Sequence, residues 1–168
     1  MKELILGSGN IKQKRIKSNG SLEYSNPVTL DISPECNPDV VWNLNVMPLP
    51  FENEEFNEIH AYEVLEHVGM QGDWRGFFEE FSEYHRILKP GGYLVASVPR
   101  WDSVWAFGDP GHTRVISEGT LAFLNQDEYT NQLGKTSMTD YREVYKVSFI
   151  PIFMKKDDDN FYFILEKV

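Results

Sequence analysis

A chain of 168 residues leaves room for one domain and little more, and 41% apolar with 14% aromatic side chains suffices to bury a core, which excludes a disordered or low-complexity chain. A formal charge of -10, from 26 acidic and 16 basic residues, argues against duplex nucleic acid as a partner, because affinity for phosphate comes from clustered Lys and Arg. The single cysteine, Cys36, excludes an intrachain disulfide and a multi-cysteine zinc site and fits a reducing compartment. The opening MKELILGSGNIKQK has too short an apolar stretch for a signal peptide or a membrane span, so a cytoplasmic chain is expected. Lys12, Lys14, Arg15 and Lys17 form the one basic cluster, which reads as a solvated polar loop.

In chain order, Leu4 to Leu6 runs into Gly7-Ser8-Gly9-Asn10, and Val28 to Ile32 is a second apolar run stopped by Ser33 and Pro34. Val40 to Leu44 reads as a third strand and Glu58 to Val64 as a fourth. Asp73 reads as a helix N-cap, followed by Trp74, Phe77, Phe78, Phe81, Tyr84, Ile87 and Leu88 at spacings of three and four. Lys89-Pro90-Gly91-Gly92 should end that helix, with Tyr93 to Pro99 as a fifth strand. Near the C-terminus, Val144 to Met154 and Phe161 to Lys167 flank the polar run 155–160, as a hairpin does. Strands alternating with turns and a helix predict one α/β domain, residues 1–168, whose sheet is mostly parallel with an antiparallel edge.

In such sheets ligands bind beyond the carboxyl ends of the strands. Gly7 and Gly9 directly follow the first strand, where glycine lets a ligand approach the backbone, although a tight turn needs glycine in any case. Asp31 ends the second strand, where a carboxylate can accept from a ribose diol or, alternatively, cap the Ser33-Pro34 turn. The dinucleotide fingerprint would need glycine where this chain has Lys12, which disfavours a nicotinamide dehydrogenase.

LILGSGN, VTLDIS, LPFENEEFNEIHAYEVLEHV and LKPGGYLVASVP, in that order, resemble the class I S-adenosylmethionine-dependent methyltransferases of type 11. The resemblance covers about residues 3 to 99 and implies a Rossmann-like fold with a reversed last strand pair. It implies that Gly7, Ser8 and Gly9 lie against the cofactor, that Asp31 holds its ribose, and that Asn45 stands where the family often has an aspartate facing adenine. It also implies that Tyr62 and Glu63 lie beside the methionine part, where a carboxylate would favour the cationic sulfonium. The segment 108–114 resembles the substrate-facing loop of several type 11 enzymes. His112 is then the preferred base for the acceptor, with His67 and Asp109 as the other candidates. A backbone-bridging role for His112 stays open.

The chain departs from the family where helices usually cover the sheet. After Asn10 only Ile11 and Ile16 are apolar anchors before Gly20, so at most two helical turns are expected between Asn10 and Pro27, and Pro34 and Pro38 forbid a helix before the third strand. One face is left with reduced helices, so loops 10–27 and 33–39 or a second subunit must cover it, and a homodimer or other homo-oligomer is expected. Trp101, Trp105 and Phe107 read either as core cover or as the wall of an apolar acceptor pocket. On a helix, Glu63, Glu66 and His67 would share a face and could take a divalent cation, as a similar run does in certain hydroxyl O-methyltransferases. A helix N-terminus favouring carboxylates explains them equally, so no metal is assigned. The compact form is reminiscent of methyltransferase-like proteins of bacteria and their phages. Methyl transfer to a small molecule or a sugar or nucleotide derivative is the expected function. The alternative is a nucleoside-binding protein without turnover that serves assembly or regulation.

Overall fold

A computed structural model describes residues 1–10 and 12–168; Ile11 lies outside the described residues. Seven strands form one sheet in the order β3-β2-β1-β4-β5-β7-β6. They are β1 (Glu3–Leu6), β2 (Pro27–Asp31), β3 (Val40–Val41), β4 (Phe56–Tyr62), β5 (Leu88–Pro99), β6 (Phe149–Lys156) and β7 (Asn160–Lys167). The first five run parallel, and β7 and β6 are antiparallel, closing the sheet as a hairpin. The order reverses between β1 and β4, and a crevice outside the strand ends at such a point is where this architecture binds ligands.

Alternation along the strands sorts the two faces. Leu4, Leu6, Leu30, Ile59, Ala61, Leu94, Ala96 and Val98 build the main core. They pack under α1 (Trp74–Ile87), which buries Phe78, Phe81, Tyr84 and Ile87 at helical spacing, each worth ~1.5–3 kcal/mol of apolar burial. The Asp73 side chain accepts from the Gly76 amide, as an N-cap should. The inner side of α1 also carries charge. Glu80 pairs with Arg114 at 2.6 Å and accepts from the Tyr84 hydroxyl, while Glu83 accepts from the Leu49 amide.

The opposite face is covered by the chain itself. No helix forms among the described residues of the β1–β2 connection. Instead Lys14 lies fully buried, ion-paired with Glu3 of β1 and, at 3.3 Å, with Glu58 of β4. Ser18 donates to the same Glu58 at 2.8 Å, and the Ser25 amide donates to Glu3 at 2.6 Å. Ile16 packs on Val95 and Ile164, and Tyr24 stands edge-on to His60 at 5.1 Å. The expectation that Lys14 belongs to a solvated basic loop is therefore corrected. Two buried carboxylates require a buried cation, and Lys14 supplies it, whereas Lys12 and Lys17 are exposed. With this face covered, the bare sheet that motivated an oligomer is met within the chain.

Boundaries differ from expectation: β4 spans Phe56–Tyr62 rather than Glu58 to Val64, because the chain leaves the sheet at Glu63, whose φ is +56, and three further departures have local causes. β3 stops at Val41, because the Asn43 side chain accepts from the Asn45 amide and its carbonyl from the Val46 amide, turning the chain. Lys89-Pro90-Gly91-Gly92 is not a loop: α1 passes directly into β5, and the segment is a bulge within that strand where Gly91 has φ +69. A side chain at Gly92 would meet the Asn57 carbonyl at 2.9 Å, so the neighbouring strand needs glycine there. The hairpin begins at Phe149 rather than Val144, since Tyr145 turns into the core. Between β5 and β6 lie α2 (Val104–Gly108), α3 (Glu118–Ala122) and α4 (Gln126–Gln132).

Candidate functional site

A cleft of about 400 Å³ opens at the carboxyl ends of β1, β2, β3 and β4. Gly7, Asp31, Asn45, Glu63 and His67 all line it, brought from four separate stretches of sequence. Trp42, Asn43, Leu44 and Val68 complete its wall, and these the sequence reasoning missed. Their signal was position, since residues 42–44 directly follow a strand end.

Gly7 and Gly9 have φ of +54 and +51, the left-handed region that glycine adopts without strain. At Gly7 a Cβ would also stand 2.5 Å from Val64 Cγ2, so the loop presses against the turn after β4. Gly7→Ala should cost about 2–4 kcal/mol, combining the left-handed penalty with overpacking. Urea denaturation measures this, and Val64→Ala in the same background should restore only the packing part. A loss within experimental error would remove the close-approach argument. Ser8 is buried next to the cleft, its amide donating to the Leu30 carbonyl and its hydroxyl without a partner among the described residues.

The Asp31 carboxylate accepts from the Gly9 amide at 2.8 Å through one oxygen and from the Ser33 amide at 2.8 Å through the other. It thus caps the turn and ties β2 to the glycine loop at once. A carboxylate offers about four acceptor sites, so both oxygens keep capacity for a diol. Asn45 presents its oxygen to the Gly69 amide at 2.8 Å and its amino group to Asn43 at 3.3 Å.

Glu63, with φ +56, accepts from Ser97 Oγ at 2.6 Å and faces Arg15 at 3.5 Å. Tyr62 lies elsewhere: its ring sits under Arg15 on the loop-covered face, with its hydroxyl 3.0 Å from His60 Nδ1. Alternation along β4 forces this, because Tyr62 shares the face of Glu58 and His60.

His67 and His112 meet edge to face, 4.7 Å between ring centroids. His67 Nδ1 lies 2.9 Å from the Gly111 carbonyl and His112 Nδ1 lies 2.7 Å from the Trp105 carbonyl. A carbonyl can only accept, so each Nδ1 carries the proton and each Nε2 keeps its lone pair. His112 therefore bridges backbone and keeps a basic nitrogen. It does not line the cleft itself, and neither does Gly9. Asp109 Oδ2 is 3.8 Å from His112 Nε2, and its other oxygen accepts from the Gly111 amide.

Glu63, Glu66 and His67 do not form one face, because only a single 3-10 turn, Leu65–His67, follows β4. Glu66 instead turns inward, 2% exposed, with Oε1 4.0 Å from His112 Nε2. Burial, with the Glu63 charge beside it, pushes its carboxyl up to about 8. Trp101, Trp105 and Phe107 are 54%, 56% and 78% exposed, so they are not core; they crown α2 and the turn before it, at the rim beside His112.

The methyltransferase domain family matches residues 16–96. Among solved structures, a S-adenosylmethionine-dependent methyltransferase from Archaeoglobus fulgidus superposes with a TM-score of 0.60 at 17% identity, covering 99% of this chain and 86% of that one. Another from Methanosarcina mazei gives 0.58 at 18% identity, covering 99% and 92%. The N-methyltransferase NodS of Bradyrhizobium japonicum, solved with S-adenosylhomocysteine, gives 0.58 at 11%, covering 99% and 78%. At these identities the likeness is one of fold. No curated protein sequence matches.

Proposed function

We propose that the chain is a S-adenosylmethionine-dependent methyltransferase on the class I fold, that the cleft beyond β1, β2 and β4 seats the cofactor, and that a small molecule, or a sugar or nucleotide derivative, receives the methyl group. One observation supports this placement above the others. A glycine loop of left-handed backbone and a carboxylate with spare acceptor capacity stand side by side on a cleft of nucleoside size. When bound, the sulfonium supplies an electrophilic methyl carbon for in-line displacement.

In this reading Asp31 accepts from the ribose hydroxyls, and Gly7, Ser8 and Gly9 leave room for the amino-acid part. Asn45 borders the adenine. Glu63 offers negative charge to the sulfonium, moderated by Arg15. Tyr62 is left out of this set, since its ring lies on the other face. His112 and His67, each with a free Nε2, are the bases that would take a proton from an oxygen or nitrogen acceptor. The exposed aromatic rim on α2 lies on the side from which an acceptor reaches His112, and closing it would exclude water.

Calorimetric titration with S-adenosylhomocysteine should show one site per chain. Neither heat nor a thermal shift at millimolar ligand would overturn the reading. Single turnover with labelled cofactor against a panel of hydroxyl and amine metabolites should then identify the acceptor class. Self-association is a separate proposal. It rests on β6, an edge strand bearing the exposed Ile152, Phe153 and Met154, and light scattering that returns a monomer at micromolar concentration removes it. Among the described residues no helix is long and apolar enough to cross a membrane.

A further inference from the structure

We propose that Glu66, His67 and His112 form a binding site for one first-row divalent cation of the zinc and manganese class. One ligand atom from each of the three lies within 4.8 Å of the others. Ligands about 2.0–2.2 Å from a common ion are about 3–3.5 Å apart, so a small closure of the exposed His67 suffices.

Three independent features point to a cation rather than to a chance cluster. Both histidines use Nδ1–H on a backbone carbonyl, Gly111 for His67 and Trp105 for His112, which leaves both Nε2 lone pairs available. That outer hydrogen bond is the arrangement that orients imidazole ligands around metals. Glu66 is almost wholly buried, and neither of its carboxylate oxygens has a hydrogen-bond partner among the described residues. A buried carboxylate left so is costly unless a proton or a cation joins it. Arg114, the nearby cation, is committed elsewhere, pairing with Glu80 at 2.6 Å and donating to the Leu65 carbonyl at 2.8 Å.

The donor set also selects the ion. Two imidazoles and one carboxylate suit zinc, manganese, cobalt or iron, whereas magnesium and calcium prefer oxygen. Three protein ligands leave at least one position open. Among the described residues the other cluster of this type, Glu3, Glu58 and His60, already holds the Lys14 ammonium and needs no ion. Because His67 also lines the cofactor cleft, the open position faces the side from which an acceptor enters; with the cation bound the two Nε2 atoms are ligands and no longer bases, and an acceptor hydroxyl held at the open position would instead lose its proton more readily. That consequence for the acceptor rests on the methyltransferase reading; cation binding does not.

The test is Co²⁺ titration of the full chain, without cofactor, followed by visible absorption and by equilibrium dialysis with Zn²⁺ competition. The wild type should bind one Co²⁺ per chain with visible bands that Zn²⁺ removes. Glu66→Gln and His112→Gln should each weaken binding at least ~10-fold, while His85→Gln, on the far end of α1, should not. Glu66→Gln keeps the shape and places a neutral group in the same buried position, so it should fold about as well, which urea denaturation checks. No bound ion at millimolar Co²⁺, or wild-type affinity in the Glu66→Gln and His112→Gln variants, overturns the site. Since neither cofactor nor acceptor is present, this failure leaves the homologue titration standing, and failure of that titration leaves this result standing.

Discussion

Lys14→Met is expected to lower the unfolding free energy by ~3–5 kcal/mol, the cost of leaving buried carboxylates without their cation. Glu3 and Glu58 share this one ammonium, and the Glu3, Glu58 and Lys14 side chains are at most 1% exposed. Their other hydrogen bonds, from Ser18, Ser25 and His60, would survive the substitution, but those donors are neutral or nearly so and cannot replace the charge. Urea denaturation followed by tryptophan fluorescence reads the effect. In the Glu58→Gln background the same substitution should cost less, by ~1 kcal/mol or more, because the interaction it breaks is already weakened. A loss under ~1 kcal/mol from Lys14→Met alone would show that the connection is not fastened by this pair.

Acid should act through the same cluster. Burial by itself would raise the Glu58 carboxyl, but hydrogen bonds from His60 and Ser18 and the nearby positive charge hold it at about 2, against an ordinary 4.5. A depressed carboxylate contributes stability that is complete above its ordinary value and is lost as pH falls from about 4.5 towards about 2. Burial holds His60 below its ordinary 6.5, so the unfolded chain takes up that proton first and stability begins to fall below about pH 6.5. In the Glu66→Gln background, where the opposing protonation of the raised Glu66 carboxyl is removed, urea midpoints should therefore decline from pH 7 to pH 3. A flat profile across that range would contradict both assignments.

Asp31→Ala should weaken S-adenosylhomocysteine binding by ~10- to 100-fold, corresponding to a charged hydrogen bond of ~1.5–3 kcal/mol. Asp31→Asn should lose less, since one oxygen can still accept, and the difference between the two variants isolates the contribution of charge. Part of the alanine effect arises through the loop, because the Gly9 and Ser33 amides lose their acceptor together. Calorimetry at 25 °C, with folding verified by circular dichroism, separates weakened binding from unfolding. Affinity within threefold of wild type in both variants would withdraw Asp31 from the ribose.

Local periodicity was enough for the helix and for most strands. Trp74 to Ile87 presents one apolar stripe behind an Asp N-cap, and such a segment has only one good way to bury itself. Three members of the cleft set, Gly7, Asp31 and Glu63, stand where each directly follows or ends a strand, and parallel pairing brings strand ends together whatever the intervening sequence, whereas Asn45, four residues past β3, was named only through the family resemblance. Tyr62 was misplaced for a reason that alternation contains, since adjacent residues at a strand end point to opposite faces. His112 was singled out as a base only through the resemblance of segment 108–114 to a substrate-facing loop, with a backbone-bridging role left open. What gives it a partner is the crossover that carries residues 105–114 back over the turn after β4.

The sequence by itself determined the order of strands, the one long helix and the polar ends of the first two strands, because apolar spacing and turn residues act over a few positions along the chain. Tertiary structure alone decided what covers the second face and which acids find cations. Lys14 is 44 residues from Glu58, and Arg114 is 34 from Glu80. Charge pairing across such distances costs desolvation and is favourable only once the sheet has set the geometry, so no local pattern records that Lys14 goes inside, or that Glu66 stays without such a partner and turns towards two histidines.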